Sequence, residues 1–297
     1  MPETLIPAGS TVGALQIRPL LDPLDNRILL GHALGLSRVS LITQSERVLT
    51  ADEAKRLSCL LARRLQGEPI AYIVGQREFF GLPFEVNEAV LIPRPDTEVL
   101  VELALERLPP GGRVLDMGTG SGAIAVALAH TRPDAVVTAL DVSSTALAVA
   151  RRNASANGVN ITFMASDWFE ALGTEKFDLI VSNPPYIASG DRHLAEGDLR
   201  FEPAGALTDH ADGLSALRTI VAGAARHLAS GAWLLMEHGY DQAAQVRELL
   251  AAAGYSKVQS WRDLAGIERV SGGKLVAAMA AATAYAAFFP PSGACGF

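Results

Sequence analysis

The spacing of apolar residues changes period twice along this chain. In residues 11–67 it is helical: Leu15, Leu20 and Leu21 open a series that runs on through Ile28, Leu29, Ala33 and Leu34. Thr50 reads as an N-cap, with Asp52 and Glu53 in the first turn behind it. Leu57, Leu60, Leu61 and Leu65 give that helix its apolar face, and Gly67 stops it. The pattern predicts a small all-α domain of three to five helices. Phe79–Val86 then switches to strand chemistry, with two aromatic arms about a Gly81-Leu82-Pro83 turn. This is the pattern of a hairpin.

From Gly111 the period alternates between strand and helix. Strands are expected at 113–115, 135–140, 161–163, 177–181 and 232–237, and helices at 123–129, 143–157 and 214–228. Such alternation predicts a doubly wound α/β domain, a parallel sheet covered by helices on both sides. A further helix, Val99–Leu108, is expected to start at a cap supplied by Thr97 or Asp96. The charges in Ile92-Pro93-Arg94-Pro95-Asp96-Thr97-Glu98 read, by themselves, as decoration of that helix start. The expected boundaries are a helical domain at 1–78, a hairpin linker at 79–95, the α/β domain at 96–274 and an Ala-rich tail at 275–297 to which no role is assigned.

Composition narrows the class. With 297 residues two domains are the natural prior, and 49% hydrophobic against 19% charged residues describes an ordered globular chain. The formal net charge of −7 argues against broad capture of nucleic acid. Residues 1–85 hold nine Lys/Arg and nine Asp/Glu, so the acidic excess lies downstream. Two cysteines and scattered histidines suggest neither a disulfide framework nor a metal site. Met1–Ser10 lacks a basic stretch followed by an apolar run, so a cytoplasmic protein is expected. The run Leu275–Phe289 is shorter than the ~20 residues a membrane span needs.

Asp116-Met117-Gly118-Thr119-Gly120-Ser121-Gly122 joins the first sheet strand to its helix. Glycines let the backbone turn sharply and come close to a ligand. Asp141 ends the second strand, 19 residues past Gly122, where a carboxylate can bind both ribose hydroxyls. With Ala123 the loop also satisfies the loose pattern of dinucleotide binders, so the glycines alone do not choose the cofactor. Two features favour S-adenosylmethionine. Asp116 suits a cationic methionyl end better than a pyrophosphate, and the loop after the fourth strand has an amine-handling chemistry. Asp167-Trp168, after the third strand, is placed to meet an adenine; Trp168 reads equally well as a core residue.

That amine-handling loop is Asn183-Pro184-Pro185-Tyr186. Two prolines lack backbone donors and fix their own φ, which makes a stiff, extended exit from the sheet. Prolyl carbonyls stay free as acceptors beside the Asn183 carbonyl oxygen and an aromatic ring. The set suits a planar –NH₂ group, with two acceptors for its hydrogens and a ring against its face.

On these residues the chain resembles the PrmC/HemK family of protein-glutamine methyltransferases. The resemblance runs from about residue 65 to 274. It is carried by Gly75–Phe79, Leu91–Glu98, Asp116–Gly122, Ser166–Phe169, Val181–Ile187, Gly197–Pro203 and Glu237–Tyr240. Asn-Pro-Pro-Tyr is shared with adenine-amino methyltransferases; its union with IPRPDTE and RFEP is far more specific. The resemblance implies a Rossmann-like, class I, seven-stranded methyltransferase domain behind a helical substrate-recognition domain and a hairpin. It implies methyl transfer from S-adenosylmethionine to the glutamine amide in the Gly-Gly-Gln motif of class-1 release factors. The cofactor residues implied or expected are Gly118, Thr119, Gly120, Ser121, Gly122, Asp141, Trp168 and Asn183. The substrate residues are Asn183, Pro184, Pro185 and Tyr186, of which Asn183, Pro184 and Tyr186 carry the chemistry. A monomer without metal, membrane or nucleic-acid contact is expected. Two other readings are an adenine methyltransferase, which the acidic charge disfavours, and an adaptor with a vestigial cofactor fold, which the intact loops disfavour.

Overall fold

The computed structural model describes residues 5–276, which fall into two compact units. The expectations for the tail beyond Val276 lie outside the described residues. The first unit takes the chain up to Gln76, with Val86–Glu88 and Ala195–Phe201. Its helices are α1 (Val12–Ile17), α2 (Pro23–Leu34), α3 (Arg38–Thr43), α4 (Ala51–Leu65) and α5 (Ile70–Val74). The Thr50 hydroxyl accepts from the Glu53 amide while the Glu53 carboxylate accepts from the Thr50 amide, a reciprocal cap on α4. Leu29, Leu30, Leu41, Leu57 and Leu61 fill the core of this unit. Leu20, Ile28 and Leu65, counted above in the apolar series, are exposed instead. Ile28 faces away from the Leu29–Leu30 side of α2, and Leu65 sits on the last residue of α4. Arg64 ties Ala195–Phe201 to the helices through Asp198 at 2.9 Å, and Arg200 donates to the Gln66 carbonyl at 2.8 Å.

The hairpin strands are β1 (Gln76–Phe79) and β2 (Leu82–Glu85), with Phe80 and Gly81 at the turn rather than Gly-Leu-Pro. Arg77–Glu85 belongs to the second unit rather than forming a free linker. Phe79 and Phe84 are buried in its core, and Asn153 exchanges two hydrogen bonds with the backbone of Glu85.

The second unit continues with α6 (Glu98–Arg107), β3 (Arg113–Met117), α7 (Ala123–Thr131), β4 (Val136–Asp141), α8 (Ser144–Ala156), β5 (Thr162–Ala165) and β6 (Phe177–Ser182). There follow α9 (Ala204–Leu207), α10 (Ser215–Ala224), β7 (Leu228–Glu237), α11 (Ala243–Ala252), β8 (Tyr255–Arg262) and β9 (Glu268–Leu275). The seven strands lie in the order β5-β4-β3-β6-β7-β9-β8. Strands β3 to β7 pair in parallel, but β9 runs antiparallel to both β7 and β8, so the sheet is mixed and not wholly parallel. Alternate strand residues enter opposite cores, as a period of two requires. Val114, Leu179 and Val181 meet α6 and α7, while Leu115, Ile180 and Met236 meet α10 and α11. Among the described residues no helix is long and apolar enough to cross a membrane, and no cluster of His, Cys, Asp and Glu would hold a metal.

Strand order turns at β3, which has β4 on one side and β6 on the other. Chain continuing from β3 and β6 leaves the sheet at its carboxyl edge on either side of that point. A doubly wound sheet opens its ligand crevice there.

Candidate cofactor and substrate site

Met117 and Ser182 are in register at the ends of β3 and β6, so the glycine loop and Asn-Pro-Pro-Tyr start side by side. They enclose a cavity of about 270 Å³ whose walls include Gly118, Gly120, Asp141, Trp168, Asn183 and Pro185. A larger, open groove of about 860 Å³ lies past Trp168 but holds neither loop.

Backbone builds the first wall. Gly118 and Gly120 have φ of +70° and +55°, and a Cβ on either would meet no protein atom within 4 Å. The side chains of the same loop turn into the protein. Thr119 donates its hydroxyl to Asp116 Oδ2 at 2.6 Å, and the Ser121 carbonyl accepts from Asn153 at 2.8 Å. Thr119 and Ser121 thus brace the loop, and neither they nor Gly122 line the cavity. Asp116 is not among the walls either: it is fully buried, its Oδ1 lacks a hydrogen-bond partner among the described residues, and desolvation pushes its carboxyl up to about 7. The attraction for a cationic ligand expected of it is corrected accordingly, because burial beneath the loop removes direct contact.

Asp141 does two things. It lines the cavity, and its carboxylate accepts from the Gly120 amide and the Ser143 amide, both at 2.8 Å. The residue expected for a ribose therefore also fixes the turn of the glycine loop. Desolvation raises its pKa, against these backbone donors. Trp168 lines the cavity with φ of +45°, a left-handed conformation uncommon for a bulky residue. The Ser166 hydroxyl holds that turn by donating to the Trp168 carbonyl at 2.8 Å.

Side chains build the second wall. Asn183 donates one of its two side-chain amide hydrogens to the Thr97 hydroxyl at 3.2 Å. Its Oδ1 is thereby left as an acceptor, and among the described residues no hydrogen bond ends on it or on the Pro184 carbonyl. Pro185 contributes to the wall, whereas Pro184 is buried. Tyr186 is not in the wall: its hydroxyl donates to Glu237 Oε1 at 3.2 Å and its carbonyl accepts from Gln242 at 3.0 Å. Burial raises the phenol pKa well beyond its ordinary range, with the Glu237 charge adding to the effect. Thr97, expected as a helix cap, makes no cap bond; its hydroxyl is taken by Asn183. Glu237, named in the sequence only as the start of the Glu237–Tyr240 segment, was given no site role, since it ends an apolar strand. Glu202 likewise was given no role of its own. Glu202 accepts from the Ile92 amide at 3.0 Å and pairs with Arg94, joining the IPRPDTE and RFEP segments beside the cavity.

Glycines open to a cavity, a carboxylate at its edge and an aromatic residue at its end are a set that fits an adenosyl ligand. Fold and site together define a class I S-adenosylmethionine-dependent methyltransferase. The family models agree: residues 95–204 match the "Methyltransferase small domain" and residues 21–75 the "PrmC N-terminal domain". A release factor glutamine methyltransferase of Burkholderia pseudomallei is 56% identical over 92% of this chain and 99% of its own. One from Neisseria gonorrhoeae is 52% identical over 86% of this chain and 94% of its own. The chain belongs to the release factor glutamine methyltransferase family. A methyltransferase structure from Pyrococcus furiosus, 23% identical, shares the fold with a TM-score of 0.52 over 74% of this chain and 99% of its own.

Proposed function

We propose that Asn183 Oδ1 and the Pro184 carbonyl accept the two hydrogens of the substrate amide and aim its nitrogen at the methyl donor. As a member of its family, the chain transfers a methyl group from S-adenosylmethionine to the side-chain amide nitrogen of a release-factor glutamine. An amide nitrogen is a weak nucleophile, because its lone pair is shared with the carbonyl. When bound, S-adenosylmethionine supplies an electrophilic methyl group on a positively charged sulfur. The chain's own task is then positioning. Two acceptors fixed at the end of β6 favour pyramidalisation of the nitrogen. Their hydrogen bonds strengthen as positive charge develops there. No general base is needed early, since the methylated nitrogen is acidic and loses a proton afterwards. Asp141, Gly118, Gly120 and Trp168 hold the adenosyl part. Tyr186 acts from behind the wall, by fixing the loop's exit.

The observation that carries this reading is the Asn183–Thr97 hydrogen bond, which turns the amide nitrogen to the protein side by one of its two hydrogens. The substrates are read as class-1 factors carrying Gly-Gly-Gln, modified by a cytoplasmic monomer that makes no direct contact with nucleic acid. The net charge of −7 supports the last point. The helical unit is read as the recognition surface. It exposes Ile17, Leu24, Val39 and Ile42 and offers no chemistry of its own.

Incubation with methyl-labelled S-adenosylmethionine and purified release factor, followed by peptide mass analysis, tests the reaction. One added methyl on the Gly-Gly-Gln glutamine is expected; label on any other residue sinks the assignment. A chain beginning at Arg77 tests recognition. It is expected to lose efficiency on the intact factor through KM, and to match the full chain on a short Gly-Gly-Gln peptide. Equal kcat/KM on the intact factor would move recognition elsewhere.

A further inference from the structure

Gln242 stands at the N-cap position of α11 and makes no capping bond with its side chain. A polar residue there ordinarily serves the first turn of its own helix. The side chain of Gln242, a residue 9% exposed, reaches backbone elsewhere. Its Nε2 donates to the Tyr186 carbonyl at 3.0 Å and to the Gly213 carbonyl at 3.2 Å. Its Oε1 accepts from the Gly239 amide at 2.8 Å. Both hydrogens and the oxygen of the side chain are used.

An amide side chain can be turned end for end with little change of shape. Here all three partners are backbone groups of fixed polarity, two carbonyls that only accept and one amide that only donates. A single orientation satisfies them. Glycines make the close approach possible on both sides. A Cβ on Gly213, whose φ is +81°, would lie 2.5 Å from the Tyr186 carbonyl oxygen and 2.9 Å from Gln242 Nε2. One on Gly239 would lie 3.1 Å from Gln242 Oε1.

The partners are themselves held. Asp209 shapes the turn that presents Gly213, accepting from the Gly213 amide at 3.0 Å and the Ser215 amide at 2.7 Å. Fully buried His238 donates from Nδ1 to the Gly239 carbonyl at 2.9 Å, and its Nε2 meets the Ser271 hydroxyl at 2.8 Å. What these fixed points secure is the exit of the second wall. Pro184 and Pro185 have no amide hydrogens, so the backbone from Asn183 to Tyr186 is fastened at its ends. At the entry, the Ser182 hydroxyl donates to the Met117 carbonyl at 2.7 Å. At the exit, the Ile187 amide donates to the Leu207 carbonyl at 3.0 Å, and Gln242 takes the Tyr186 carbonyl.

We propose that Gln242 is a positioning residue for methyl transfer. Its amide staples the exit of Asn-Pro-Pro-Tyr to the turns before α10 and after β7. The staple keeps the Asn183 oxygen and the Pro184 carbonyl at the spacing a substrate –NH₂ needs. This rests on the reading of those two atoms as the acceptors. Gln242 is not part of the cavity wall, so its loss falls on turnover and not on the binding of S-adenosylmethionine.

Gln242→Met keeps the length of the side chain and removes every hydrogen bond. Gln242→Glu keeps the acceptor for Gly239 and turns a carboxylate toward two carbonyl oxygens. Melting temperatures are read first, and all proteins are assayed where they are folded. For Q242M and Q242E we expect kcat on saturating release factor to fall about tenfold or more, because small displacements of a reacting group are costly. The dissociation constant for S-adenosylmethionine and the KM for the factor should stay within about threefold of wild type. A double-mutant cycle with Asn183→Ala then asks where Gln242 acts. In the N183A background, Q242M should cost about threefold or less, since the acceptor it positions is already gone.

Either Gln242 variant with kcat within about threefold of wild type overturns the proposal. So does a loss of S-adenosylmethionine affinity as large as the loss of kcat, which would make the residue a general support of the cavity. A full tenfold effect of Q242M in the N183A background does the same, by placing its action outside the wall. N183A separates the two levels. If N183A alone leaves kcat intact, the acceptor reading falls; if N183A lowers kcat and both Gln242 variants keep it, only the staple falls.

Discussion

The two walls of the cavity solve opposite problems with opposite materials. On the β3 side the surface is backbone: Gly118 and Gly120 leave space for a ligand, while Thr119, Ser121 and Asp116 turn inward and hold the loop from beneath. On the β6 side the surface is side chain and carbonyl, and the support comes from distant segments, Thr97 before α6 and Glu237 at the end of β7. A wall of backbone tolerates little movement and suits holding a large ligand in one pose. A wall of oriented acceptors suits discrimination between a neutral amide and its transition state. The difference teaches that binding and chemistry are separable here, and mutations should separate them.

The largest effect is expected where an oriented acceptor is removed. Asn183→Ala should lower kcat by about 10²–10³ and leave S-adenosylmethionine affinity within a few-fold, because a transition-state hydrogen bond is lost. Single-turnover assays beside calorimetry check this. A drop in affinity that matches the drop in turnover would make the second wall a binding wall and erase the contrast.

Asp141→Ala attacks the first wall and should act on the other observable. A hydrogen bond to a charged group contributes about 1.5–3 kcal/mol, so affinity for S-adenosylmethionine should weaken about ten- to a hundredfold. Because Asp141 also accepts from the Gly120 amide, some of the loss comes from the loop itself. Asp141→Asn sharpens the point: it keeps an acceptor for Gly120 and should recover part of the affinity. An Ala variant with unchanged affinity in calorimetry would remove Asp141 from the site.

These walls were unequally legible in the sequence. The first is local: glycines, a strand before them and Asp141 at a fixed interval announce themselves within one βαβ unit. The second is half legible. Asn-Pro-Pro-Tyr can be read as a stiff set of acceptors, but its supports are 86 and 51 residues away from Asn183 and Tyr186 in the chain. Thr97 resembled an N-cap because that is the commoner use of a threonine before a helix; in the structure it has helical φ and ψ and makes no cap bond. The last strands were hidden for another reason. β8 alternates only loosely and holds Lys257 in a left-handed conformation, and β9 carries Gly272-Gly273 where a strand reader expects branched residues. Tyr186 was drawn toward the substrate by its motif, yet its phenol lies against a carboxylate that only the folded sheet brings near.

The smallest effect should come from the back of the first wall, where a change can weaken the fold without touching the ligand. Gly122 differs from Gly118 and Gly120: its φ is +83°, and a Cβ there would lie 3.1 Å from the Ala150 Cβ of α8. Two separate costs follow for Gly122→Ala, the left-handed conformation and a contact tighter than ordinary packing between α7 and α8. A left-handed non-glycine residue costs about 1–2 kcal/mol, and overpacking adds to it unless α8 gives way by a few tenths of an ångström. The fold should therefore lose about 1–3 kcal/mol in urea. S-adenosylmethionine affinity should stay within a few-fold, since Gly122 is not part of the cavity wall. Gly120→Ala makes the matched control, because its Cβ meets no protein atom and projects into open space. Its affinity loss should exceed that of G122A at a similar or smaller cost in stability. Should G122A lose affinity and G120A keep it, the loop would be holding its ligand by its far end, and the division between wall and support drawn here would be reversed.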